Sequence, residues 1–201
     1  SQARNKYTYF ASVAKKEGYQ ILHDLFIYTA NQEKAHAWQF MKKLKECSGE
    51  EIEITSTYPA EVESSSLKLL KSAVKHESAE HDEIYKSFAE IAKEEGFMDI
   101  YTLFNHVASV EKVHSERFSK YATMLENGSL FKATNKIQWM CTNCGYIYEG
   151  ENPYNEVERF SDEELAEYVQ DKSVGEMIAF LFEQYQVNCL NMHKIDNGKL
   201  D

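Results

Sequence analysis

The chain has 201 residues, 43% of them hydrophobic, which is enough for one good core or a core with a small appendage. Thirty-three acidic residues against 22 basic ones leave a formal charge of −11 at pH 7, which argues against a nucleic-acid partner and leaves carboxylates available for cations. No apolar run approaches the roughly 20 residues of a membrane span, and no signal peptide points to export, so the expected compartment is the cytoplasm.

With only two prolines and eight glycines, long uninterrupted helices are expected. Residues 1–17 predict a helix with Ala3, Tyr7, Phe10 and Ala14 on one stripe, stopped by Gly18. Residues 19–47 predict a second, whose inward stripe runs through Ile21, Leu25, Phe26, Ala30, Glu33, His36, Ala37 and Phe40. Ser48, Gly49 and Pro59 mark residues 48–61 as a loop. A third helix over 62–95 carries Leu69, Ala73, Glu77, Glu80, Ile84, Phe88 and Ile91; Gly96 ends it. A fourth covers 97–126 and stops at Asn127-Gly128. Two short turns and one longer crossover make these four helices an all-α four-helix bundle, residues 1–134. The crossover after the second helix relates the two halves by a pseudo-twofold axis.

Residues 135–152 differ in composition and read as a small β-knuckle around Cys141-x-x-Cys144. Residues 153–201 form a separate tail, with capping-box sequences at Ser161–Glu164 and Ser173–Glu176 and an apolar helix expected from Ser173 to about Asn188. Beyond Asn188 no element is assigned. Cys47 and Cys189 are scattered, so the four cysteines fit thiolate–metal chemistry in a reducing compartment better than a disulfide scaffold.

A shift of 78 positions lays residues 14–36 over 92–114, and Ala14, Lys15, Glu17, Gly18, Leu25, Phe26, Ala30, Glu33, Lys34 and His36 all recur. Tyr7, Phe10 and Ala11 recur as Tyr85, Phe88 and Ala89. The chain is therefore internally duplicated. A single Glu-x-x-His in so acidic a chain is ordinarily a solvated face. Here both copies, Glu33/His36 and Glu111/His114, lie at equivalent places on an apolar stripe, where an unpaired carboxylate is expensive to bury. Residues at i and i+3 share a helix face, so each copy can grip one metal, and two such helices place two metals side by side. Oxygen-rich ligation with one imidazole per metal suits iron or manganese. The third helix adds Glu77 and Glu80. Tyr7 and Tyr85 need no function as core aromatics, yet their phenols can hydrogen-bond metal carboxylates. Glu77 precedes Glu111 by 34 residues, and the same offset from Glu33 falls just upstream of Ser1. The carboxylate expected from the first helix is thus missing. A chain that opens on Ser rather than Met reads as trimmed there.

The stretches SQARNKYTYFASVAKKEGY, TANQEKAHA, SFAEIAKEEGF, EKVHSERF and WMCTNCGYIYEG resemble the rubrerythrin family over about residues 1–150. The resemblance implies a ferritin-like di-iron bundle joined to a rubredoxin-like FeCys4 module, usually in a homodimer. It implies an anaerobe's peroxidase that reduces hydrogen peroxide to water, fed by rubredoxin or an NAD(P)H-dependent reductase. Carried over, Glu33 and Glu111 are bridging or terminal carboxylates, Glu77 is terminal, and His114 holds one iron. His36 and Glu80 then exchange on the other iron. An upstream Glu would precede Ser1.

The tail departs from that pattern, because no second C-x-x-C follows Gly150. Cys141, Cys144, Cys189 and His193 could form a Cys3His site for iron or zinc. Alternatively the tail is foreign to the module and the half-knuckle binds nothing well, or the segment 161–188 replaces the missing half-helix and donates a Glu. Three functions stay open: a peroxidase, a ferritin-like protein that stores or buffers iron, and a catalytically incomplete fragment of the bundle.

Overall fold

The computed structural model describes residues 1–58, 60–141, 147–151, 192–196 and 199–200. It divides into two compact units, Ser1–Asn127 and Gly128–Asp201. The first is helical: α1 (Gln2–Lys16), α2 (Gln20–Lys43), α3 (Ser66–Ala79), α4 (Tyr85–Glu94) and α5 (Met98–Glu126). α1 packs along α2, α5 packs along α3 and α4, and the two hairpins meet through α1–α3 and α2–α5. α3 and α4 are one rod interrupted by a π-helical turn, Glu80–Ile84, so the bundle has four rods. The third rod starts at Ser66, and α2 ends at Lys43 before a 3₁₀ turn over Lys45–Cys47. Both helices are shorter than their periodicity implied. Among the described residues no helix is long and apolar enough to cross a membrane.

The duplication is visible in the turns. Gly18 closes α1 at φ +82°, with Gly18 N donating to Lys15 O (3.1 Å) and Tyr19 N to Ala14 O (2.9 Å). Gly96 closes α4 at φ +86°, with Gly96 N donating to Lys93 O (3.1 Å) and Phe97 N to Ala92 O (2.7 Å). Each is a Schellman cap, and the left-handed residue it needs is glycine. Glu17, at the end of α1, reaches the start of α3, where Oε2 accepts from Ser66 N at 2.6 Å. That satisfies an open helix donor with a negative charge at the positive end of the dipole. Glu61 pins the crossover to α3 by accepting from Ser72 and contacting His76 Nε2 at 2.7 Å.

Two aromatic quartets are also duplicates. Tyr7, Phe10, Phe26 and Phe118 are fully buried, with ring centroids 5.2–6.2 Å apart. Their counterparts Tyr85, Phe88, Phe104 and Phe40 make the same kind of contacts at 5.5–6.0 Å. Yet Phe88 is 45% exposed and the other three are half-buried. α3, with Leu69, Leu70 and Ala73 fully buried, packs on α1 and α5.

The second unit carries a four-stranded antiparallel sheet of β1 (Ile137–Cys141), β2 (Ile147–Gly150), β3 (Met192–Asp196) and β4 (Lys199–Leu200), in the order β2-β1-β3-β4. Trp139 is buried and its Nε1 donates to Gly150 O at 2.9 Å. β1 and β2 flank the C-x-x-C segment as expected of a knuckle. β3 occupies the stretch to which the sequence assigned no element, and pairs Cys141 with Met192 and Met140 with His193. Cys144, Cys189 and the expected helix over 173–188 lie outside the described residues, as do the side chains of Cys141 and His193.

The quartets define an internal comparison. Phe26→Ala should cost about 3–5 kcal/mol in urea unfolding of the metal-free protein, the usual loss for a fully packed Phe. Phe104→Ala, at the duplicated position, should cost less than half of that, about 1–2 kcal/mol. Equal losses would mean that the second quartet is as well covered as the first.

Candidate metal centre

The centre is assembled where the apolar stripes of α2, α3 and α5 face inward. Glu33 on α2, Glu77 on α3, and Glu111 and His114 on α5 are all buried, and one ligating atom from each lies within 4.8 Å of the others. His114 Nδ1 stands 2.9 Å from Glu111 Oε2, 3.3 Å from Glu33 Oε1 and 3.3 Å from Glu77 Oε2. His36, one turn beyond Glu33, brings Nδ1 to 3.1 Å from Glu111 Oε1 and 3.6 Å from Glu33 Oε2. The two imidazoles stack at 5.8 Å between centroids with planes 25° apart. Tyr7 donates its phenolic hydrogen to Glu77 Oε1, holding that carboxylate from behind.

The structure thus gathers Glu33, Glu77, Glu111 and His114 into one cluster and sets His36 against its edge. Glu80, the first residue of the π turn, is not part of that cluster, although Glu77 is the charge that acts on it most strongly. It lines a cavity of about 260 Å³ with Glu33, His36, Ala37, Phe40, Tyr85 and the first residues of α1. Tyr7 and Tyr85, predicted as a pair, are therefore unequal: Tyr7 is bonded to Glu77, whereas among the described residues the Tyr85 hydroxyl makes no hydrogen bond and faces the cavity.

The donor set fits a pair of divalent cations. Glu33 Oε1, both Glu111 oxygens and His36 Nδ1 are buried without a hydrogen-bond partner, although they lie close together. Buried polar atoms are almost always satisfied, so a convergent group of bare oxygens and a nitrogen is the signature of a cation site. Four carboxylates, Glu33, Glu77, Glu80 and Glu111, balance the charge of two divalent ions when both histidines are neutral.

Without cations, protons take their place. Burial, opposed by the His114 contact and reinforced by Glu111 and Glu33, pushes Glu77 up to about 7. Burial and the same carboxylates push Glu80 up to about 8. Burial alone would lower the histidines, but contacts with Glu111 and Glu33 raise His36 to about 9, and those with Glu111, Glu33 and Glu77 raise His114 to about 11. Burial opposes ionisation of Glu111, but His114 and His36 draw it down to about 2. Burial and Glu77 drive the Tyr7 phenol far up, and burial and Glu80 do the same to Tyr85, so both remain donors.

Two contributors escape sequence reasoning. Gln32 Oε1 lies 3.1 Å from His114 Nε2 and accepts from Arg117 Nη1 at 3.1 Å. Arg117 lies three residues beyond His114, on the same face, so the spacing Glu-x-x-His-x-x-Arg was the available signal. Gln32, beside Glu33, carries no signal of its own.

The raised values give a signed pH dependence. Glu77, Glu80, His36 and His114 bind protons more tightly folded than unfolded, so their stabilisation is complete below the unfolded pKa values and lost as pH rises through the folded ones. The lowered Glu111 loses its contribution only as pH falls toward about 2, below this window. The Tm of metal-free protein should therefore fall steadily from pH 6 to 9, and ferrous iron or zinc should restore it most at pH 9, where ligands shed protons most readily. A metal-free Tm that rises over this range would contradict the assignment.

A family model described as Rubrerythrin matches residues 1–122. A rubrerythrin of Clostridium perfringens is 44% identical over 150 residues, covering 74% of this chain and 77% of that protein. A rubrerythrin of Porphyromonas gingivalis is 44% identical over 147 residues, covering 73% and 72%. A solved structure of nigerythrin in its fully reduced, all-ferrous state superposes with a TM-score of 0.57 at 28% identity, covering 75% of this chain and 71% of that one.

Proposed function

The chain belongs to the rubrerythrin family, and from that premise we propose that its ferritin-like bundle is a non-haem di-iron oxidoreductase reducing hydrogen peroxide to water. The observation that carries this reading is the convergence of Glu33, Glu77, Glu111 and His114, buried and partly unpartnered, around one small space. Glu33 and Glu111, each in reach of both histidines, would be the shared or terminal carboxylates; Glu77 and His114 would hold one iron; His36 and Glu80 would serve the other. A bound ferrous pair supplies two electrons to an O–O bond together, so that no one-electron radical need escape.

The residues around the pair have their own tasks. Peroxide that takes up two electrons and two protons leaves as two waters, so the site must deliver protons as well as exclude bulk solvent. The cavity beside His36 and Glu80 would be the approach, roomy enough for a peroxide and bordered by Phe40. The Tyr85 hydroxyl, protonated and free to donate into that cavity, would orient the incoming oxygen. Glu80, on the same wall, would carry a proton only while detached from the iron, and would then hand it on at its carboxyl oxygen. Tyr7 keeps Glu77 in one rotamer while charge at the centre changes. Electrons would come from a rubredoxin or an NAD(P)H-dependent reductase, to a homodimer.

Anaerobic loading should give about two irons per chain in the bundle. The reduced protein should consume peroxide at a rate that Glu111→Ala lowers by more than the roughly 10–100-fold typical of losing a group that only supports a metal ligand. Iron binding without peroxide turnover would favour storage over catalysis. Fewer than one iron per chain would end the di-iron reading altogether.

A further inference from the structure

Duplication gave this bundle two histidines at equivalent positions, His36 and His114, yet their surroundings differ on the side away from the carboxylates. His114 is fully buried, and its Nε2 faces Gln32 Oε1 at 3.1 Å. The same oxygen accepts from Arg117 Nη1 at 3.1 Å. Arg117 has no acceptor atoms, so it can approach only the carbonyl end of the Gln32 amide. That settles which way the amide points, and the amide in turn requires a hydrogen on His114 Nε2. The nitrogen left toward Glu33, Glu77 and Glu111 is then Nδ1, in reach of all three carboxylates. Arg117 is itself held over the Tyr28 ring at 5.1 Å and makes no ion pair among the described residues.

The other half has none of this. Shifting Gln32 by 78 positions gives Val110, which has no side-chain acceptor, and shifting Arg117 back gives Gln39, which is exposed. His36 forms no hydrogen bond through Nε2 among the described residues, and it lines the open cavity.

We infer that Gln32 and Arg117 are positioning residues which lock the His114 ring through its Nε2, a lock that Val110 and Gln39 at the equivalent positions do not give His36. The lock fixes the ring that would hold one metal position. It rests on the metal reading above for its consequence, but not for its geometry. A carbonyl that accepts from both a guanidinium and an imidazole fixes tautomer and ring angle together, and supporting hydrogen bonds of this kind set metal affinity by 10–100-fold.

Imidazole-selected nitrogen–proton NMR on metal-free and zinc-loaded protein tests the lock directly. In the wild type, His114 Nε2–H should be visible and slow to exchange in both states, while the His36 ring proton exchanges with solvent. Gln32→Leu should abolish the His114 signal and weaken zinc at one of the two positions by 10–100-fold, measured by competition with a chelator. Gln32→Glu should restore both, because it keeps the acceptor. Arg117→Met, which spares the core, should leave the His114 signal but broaden it as the Gln32 amide gains a second orientation. The inference falls if His36 and His114 exchange alike in the wild type, or if Gln32→Leu binds zinc as the wild type does. A wild type that binds no zinc would overturn the metal reading instead, and the lock would stand or fall on the metal-free spectra.

Discussion

Three carboxylates, Glu33, Glu77 and Glu111, share one buried space around His114, and their mutual repulsion in a low-dielectric interior sets the terms for the rest of the bundle. No arrangement of protein groups alone satisfies them: oxygens of Glu33 and Glu111 stay unpartnered even with two imidazoles alongside. The fold tolerates this because the backbone is fixed elsewhere. The buried quartet of Tyr7, Phe10, Phe26 and Phe118 lies next to the cluster, and Tyr7 links the two by bonding Glu77. Paired Schellman caps set where each hairpin turns, and Glu17 and Glu61 tie α3 to α1 and to the crossover. The like charges are thus held together by protons on Glu77, Glu80 and the two histidines until cations displace them.

The duplicated halves have diverged toward different tasks. The π turn at Glu80–Ile84 corresponds by the 78-residue shift to Gln2–Lys6, which is ordinary α-helix in α1. Glu80 lines the cavity wall while Glu77 stays in the cluster. His36 and Tyr85 share that wall, whereas His114 and Tyr7 are sealed inside with hydrogen bonds on their polar atoms. One face of the centre is therefore packed and hydrogen-bonded, and the other borders a cavity. A symmetric ancestor would have offered two alike.

Much of this was legible because repetition turns weak patterns into strong ones. Glu33, His36, Glu111 and His114 stood out once the two copies fell on apolar stripes, and Glu77 followed from its place on the third stripe. Gly18 and Gly96 marked turns that only a left-handed residue can close. The π turn was not legible, since its residues have ordinary helical propensities and only tertiary packing selects the wider turn. Glu77 and Glu80 read as one i, i+3 pair, yet only Glu77 joins the cluster while Glu80 lines the cavity. Gln32 and Arg117 were missed for a related reason: each is a common polar residue whose meaning comes from a partner more than 80 positions away. β3 was missed because it pairs with β1 across some fifty residues, a contact that no local window contains. Its neighbouring Cys189 lies outside the described residues, so the sheet leaves the expected Cys3His set where the sequence put it.

The two aromatic quartets have a further consequence for how the molecule breathes. Amides in α1 and α4 belong to nearly the same sequence, Tyr-x-x-Phe-Ala-x-x-Ala, and would exchange with solvent alike in isolated peptides. In the bundle, α1 opens only with the buried core, whereas α4 lies over rings that water already touches, so its openings need far less free energy. A gradient of local unfolding follows, from the Tyr7 end to the Tyr85 end, between segments that share their aromatic and alanine positions and differ in burial.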